Sequence, residues 1–138
     1  MQRSYSNKVA NTFYQKIGKL FFSIAMADGT VHSDEIDSLK RIVRDSWLPH
    51  DDLLDEYGSD AAFKIEIVFD WLLENEQDSL ACYKEFREFY QEHPKIFTVH
   101  VKALILGTAN AIASAFAGKN KSELILLGKL QLLFNAAA

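Results

Sequence analysis

Apolar side chains recur at steps of three and four in stretch after stretch of this chain, a spacing that puts them on one face of a helix. Val9, Phe13, Ile17, Leu20, Phe21 and Ile24 mark a first long helix over residues 8–27, with Lys8, Gln15, Lys16 and Lys19 off the stripe. Ile36, Leu39 and Val43, with Ile42 beside them, mark a second over 33–46. Residues 60–74 are apolar on much of their circumference (Phe63, Ile65, Ile67, Val68, Trp71, Leu72, Leu73), which predicts a largely buried helix. Leu80, Tyr83, Phe86, Phe89 and Tyr90 form the apolar face of a helix over 78–92, with Lys84, Glu85, Arg87 and Glu88 facing solvent. Two prolines and six glycines in 138 residues leave room for helices of this length.

The punctuation agrees with the periodicity. Pro49 disfavours helical backbone before it, and Gly58-Ser59-Asp60 offers a second break with Ser59 or Asp60 as N-cap. Glu92-His93-Pro94 closes the helix of 78–92, and Gly118 closes the next. Asn120-Lys121-Ser122-Glu123 reads as a capping box before a last helix. Leu124, Leu127, Leu130 and Phe134 define that helix's face, widened by Ile125, Leu126 and Leu133. The expectation is an all-α bundle of about six helices in one domain spanning residues 1–138, with helices 8–27, 60–74 and 95–117 forming much of the core.

Residues 95–117 are long enough to span a bilayer, but His100, Lys102, Thr108, Asn110 and Ser114 argue against it. They read as the central buried helix of a soluble bundle, with small residues such as Gly107, Ala109, Ala111, Ala113 and Ala115 permitting close approach. Lys16 and Lys19 before the run Leu20–Ala27, with Ala25-Met26-Ala27 shaped like a cleavage site, resemble a signal peptide. The run is only eight residues long and comes late, so a cytoplasmic chain is the expectation. Cys82 is the lone cysteine, so no intramolecular disulfide and no cysteine-based zinc cluster can form. It sits among Leu80, Tyr83 and Phe86 as a core residue.

A net charge of −4 gives no general attraction to nucleic acid or to anionic membrane. The charge is uneven: residues 28–60 hold ten acidic and three basic side chains. The local chemistry concentrates at Ile24–Leu39. There an apolar helix ends, Asp28-Gly29 makes a turn, and Ser33 caps a helix whose first turn carries Asp34, Glu35 and Asp37, where the helix dipole favours negative charge. Asp28-Gly29, five residues and Glu35 match the second half of a calcium EF-hand loop. The first half fails, because Ile24 and Met26 stand where the first two carboxylates belong.

The run Ala27-Asp28-Gly29-Thr30-Val31, followed by Ser33-Asp34-Glu35 and Leu39, resembles the signature of the tellurite-resistance TerB-like domain. It is also similar to the N-terminal region of membrane-anchored DnaJ-type DjlA co-chaperones. The resemblance covers most of the chain and implies a compact all-helical bacterial stress-response or scaffold domain with an acidic, metal-binding site. No enzymatic activity comes with it. Such domains pair two half-motifs, and here Ile112-Ala113-Ser114-Ala115, Glu123 and Leu127 repeat Ile24–Ala27, Glu35 and Leu39 at an offset of 88 residues. Phe116 and Ala117 replace the second Asp-Gly. The implied site is therefore Asp28 and Glu35, aided by Asp34 and Glu123, and its hard oxygen ligands favour calcium, magnesium or manganese over zinc.

Other candidates are bland. His50 with Asp51, Asp52 and Asp55 is read as a polar loop. Glu66, Asp70 and Glu74 step by four, as di-iron carboxylates do, but no Glu-x-x-His pair accompanies them, so they read as a solvent stripe with Asp70 reaching toward a neighbouring Lys or Arg. The aromatics of 78–92 lie in negative local charge and suit a core better than a nucleic-acid platform. No zinc, phosphate-loop or nucleophile-elbow motif points to an enzyme. The alternative to a cation site is a metal-free interaction module docking a protein partner, with self-association left open.

Overall fold

In a computed structural model the chain forms α1 (Asn7–Ala25), α2 (Ser33–Trp47), α3 (Gly58–Asn75), α4 (Ser79–Glu92), α5 (Val99–Phe116) and α6 (Lys121–Ala136), with a short 3₁₀ turn at Pro94–Ile96. The structure describes residues 7–26, 33–47, 58–75, 78–116 and 121–136, and side chains within 12–26, 36–46, 64–72, 74–75, 78–115 and 125–135. Among the described residues there is no strand, and the all-α bundle of six helices matches the periodicity.

α1 is the axis of the bundle. Phe13, Tyr14, Ile17, Leu20, Phe21, Phe22, Ile24 and Ala25 are all buried along it. Even Ser23 is buried; its hydroxyl donates to the Leu20 carbonyl at 2.6 Å, so no buried polar group is left unpaired there. α1 packs against α3, α4, α5 and α6. With α4 it runs antiparallel: Phe13 meets Phe89, Lys16 meets Glu85, and the Ser79 hydroxyl donates to the Ser23 carbonyl. With α3 it runs parallel, since Tyr14 lies by Lys64 and Phe22 by Phe69. Gly18 sits at that crossing, where a Cβ would come within 3.0 Å of Val68 Cβ.

The 3₁₀ turn delivers Ile96 and Phe97 into the core. Phe97 lies edge-on to Phe13, Phe86, Phe89 and Tyr90 at centroid distances of 4.9–6.1 Å, and Phe134 closes the cluster from α6. Such contacts add to the burial of the rings. The Tyr90 hydroxyl is buried there without a hydrogen-bond partner. Lys102 lies over the Tyr90 and Phe134 rings and donates to the Phe134 carbonyl, satisfying an end of α6. Asp78 caps α4 by accepting from the Ala81 N–H at 2.9 Å, and Thr98 caps α5 by accepting from Val101.

Several expected faces are rotated. α5 is not buried all round: Val101, Ile105, Thr108, Ala109, Ile112 and Ala113 face inward, whereas Ala103, Gly107, Ala111 and Ala115 are exposed. The central position belongs to α1, and α5 begins at Val99 because Pro94 directs the preceding residues into the 3₁₀ turn. On α3, Ile67 and Trp71 are 67% and 49% exposed, because neighbours cover only the Ile65, Phe69 and Leu72 side and its flanks. α3 starts at Gly58, so Ser59 and Asp60 lie within its first turn instead of capping it. Leu80 faces solvent on α4, and on α6 Leu126 is buried while Leu127 is half-buried and Ile125 exposed. No described helix is long and apolar enough to cross a membrane.

Candidate functional site

The acidic stretch singled out by the sequence lies between the end of α1 and the start of α2. α1 closes with the Met26 N–H donating to the Phe22 carbonyl at 2.9 Å, and α2 opens at Ser33. Asp34 and Glu35 thus occupy the first turn of α2, beside backbone N–H groups that have no partner within the helix. Glu123 holds the corresponding place in α6, which opens at Lys121. The side chains of Asp34, Glu35 and Glu123 lie outside the described residues, as do Asp28, the Asp28-Gly29 turn and the segment of His50, Asp51, Asp52 and Asp55.

The 88-residue offset between the hairpins is visible in burial. Ile17, Leu20, Phe21, Ile24 and Ala25 of α1 are buried, and so are Ile105, Thr108, Ala109, Ile112 and Ala113 of α5. The second helices depart from it. α2 buries Ile36, Leu39 and Val43, whereas α6 buries Leu126, Leu130 and Phe134, so Leu127 does not reproduce Leu39.

Downstream of the hairpin, α2 is bound to α3 by charge. Arg44 makes a two-pronged pair with Glu66: Nη2 to Oε1 at 2.7 Å and Nε to Oε2 at 3.2 Å. One turn earlier Lys40 lies 3.0 Å from the Asp70 carboxylate. The two pairs run antiparallel along the helices. The hydrogen bond and charge of Glu66 hold the Arg44 guanidinium more firmly in its charged form. Asp70 reaches a neighbouring lysine, as its position suggested. Glu66 departs from the expected solvent stripe and is buried under Arg44, a placement that apolar periodicity does not signal. The row of three carboxylates is committed to ion pairs at two of its members, and Glu74 is exposed.

Glu85, expected in solvent, is half-buried between α4 and α1, where Lys16 and Lys19 both donate to its Oε1. Burial raises its pKa, but the two lysine hydrogen bonds and charges outweigh that and leave it lowered. The lysines' off-stripe positions facing Glu85 were the available signal. Beside this group an open cleft of about 280 Å³ is lined by Thr12, Lys16, Glu85, Glu88, Phe89, Glu92 and His93. Cys82 is fully buried, and burial pushes its thiol up to about 11, so it is no nucleophile at neutral pH. Among the described residues, no group of three or more His, Cys, Asp or Glu side chains could hold a metal. No protein-family model, curated protein or solved structure matches the chain.

Proposed function

We propose that the chain is a non-enzymatic, TerB-like stress-response domain of the bacterial cytoplasm whose α1–α2 hairpin uses Asp28 and Glu35, aided by Asp34 and Glu123, to bind a divalent cation weakly. The observation that carries this reading is the opening of α2 at Ser33, which puts Asp34 and Glu35 in a helix's first turn directly after the α1 connection. Oxygen ligands at a helix start suit calcium, magnesium or manganese. The matching start of α6 at Lys121, with Glu123 in its first turn, supports a contribution from the second hairpin.

The test is a thermal melt after chelation, repeated with excess calcium, magnesium, manganese or zinc. Cation at about a hundred times its dissociation constant stabilises a folded chain by about 2.7 kcal/mol. A metal-specific rise that Asp28→Asn/Glu35→Gln removes is the expected result. No rise with any metal defeats the reading.

A second reading, a metal-free protein-interaction module, is favoured by Ile67 and Trp71, which stand one turn apart and exposed on α3. Exposed apolar side chains with an aromatic anchor are what protein interfaces use. Under it, melts are indifferent to metal, and Ile67→Asp/Trp71→Ala abolishes binding of a partner that the wild type captures.

A further inference from the structure

We infer that α2 is a detachable arm, which leaves and re-docks as a unit while the rest of the bundle stays folded. Its apolar hold is narrow. Of its described side chains, only Ile36, Leu39 and Val43 are buried, and the arm packs chiefly against α3 and α5. Half-buried Ile42 adds a fourth apolar contact, and the rest of the hold is electrostatic, through Lys40–Asp70 and Arg44–Glu66. The Asp70 side chain is 59% exposed and that of Arg44 46% exposed, so water and salt compete for both pairs. The aromatic cluster that joins α1, α4 and α6 through Phe97 contains no residue of α2. Loss of α2 therefore leaves that core intact, the condition for an opening smaller than global unfolding. Opening bares the apolar surface between α3 and α5 and carries Asp34 and Glu35 away with the arm.

The test is native-state hydrogen exchange on the full chain, resolved by residue. The amides of Leu39–Val43 are expected to exchange about tenfold or more faster than those of Ile17–Ile24 in α1. Raising salt to about 0.5 M is expected to speed α2 several-fold further and leave α1 unchanged. Glu66→Gln is expected to act like salt, and more strongly. Asp70→Asn, at an exposed position that folding tolerates, is expected to act in the same direction. Equal protection in α1 and α2, with an equal response to salt, overturns the proposal, as does α2 exchange indifferent to both substitutions. One consequence rests on the cation reading: calcium, magnesium or manganese bound at the α2 start slows opening of the arm. If none of these metals slows α2 exchange while the salt and variant effects stand, the cation reading fails and the arm remains.

Discussion

α1 and α2 are neighbours in the chain and both carry an apolar stripe, yet one is the axis of the bundle, packed on four helices, and the other packs chiefly on two, α3 and α5. The difference lies in the positions off the stripe. In α1 these include Gly18, Phe22, Ser23 and Ala25, each small or apolar enough to let another helix approach. In α2 they are Asp37, Ser38, Lys40, Arg41, Arg44 and Asp45, which keep that side in water or bind it through charge. A stripe orients a helix; the residues beside the stripe decide how many neighbours it can have.

Core truncations sharpen this contrast most. Ile17→Ala, at the centre of α1, is expected to cost about 2–5 kcal/mol in a urea melt, through lost transfer energy and a cavity at a fully buried site. Val43→Ala in α2 removes two methyl groups where Ile17→Ala removes three carbons, and is expected to cost about 1–2 kcal/mol. Equal losses, after allowance for the carbons removed, break the contrast.

The glycines give a smaller effect of opposite signs. Gly18→Ala adds a Cβ at 3.0 Å from Val68 Cβ, an atom fixed to its backbone, so α1 and α3 must move apart. That strain is expected to exceed the gain in helix preference and leave a net loss of about 1 kcal/mol. Gly107→Ala projects into open space on the outer side of α5, and the same preference is expected to stabilise the chain by up to about 1 kcal/mol. A stabilising Gly18→Ala would show that the α1–α3 crossing has slack.

The smallest effect is acid dependence at the α1–α4 seam. The folded Glu85 pKa lies below its ordinary 4.5, so its contribution is present above that pH and is lost as pH falls through the folded value. The wild type is therefore expected to lose more stability than Glu85→Gln when melts are taken from pH 5 down to about pH 3. Parallel curves would mean that Lys16 and Lys19 add nothing to the seam.

Much of this architecture is readable in the sequence. Local periodicity located α1, α2, α4 and α6, apolar runs between helix breakers located α3 and α5, and the stripes of α1, α2 and α4 match the buried residues at Ile17, Leu39 and Phe86. It failed where a helix is apolar all round. In α3 and α5 composition does not say which face the neighbours take, so the sequence alone does not reveal that Ile67, Trp71 and Gly107 are exposed. The burial of Glu66 and Glu85 is not written in their own helices, because it depends on a cation from another helix, Arg44 in one case and Lys16 with Lys19 in the other. The helix starts were legible too: α2 opens at Ser33, and α6 opens one residue after Asn120.

The burial of Cys82 reaches beyond packing. Burial pushes its thiol up to about 11, which keeps the sulfur protonated at neutral pH. It is the chain's single sulfhydryl, sealed on α4 beside the lysine-held seam. Oxidants and mixed disulfides therefore have no purchase on the folded molecule. Capture of that sulfur becomes a clock for the rare moments when the α1–α4 seam parts.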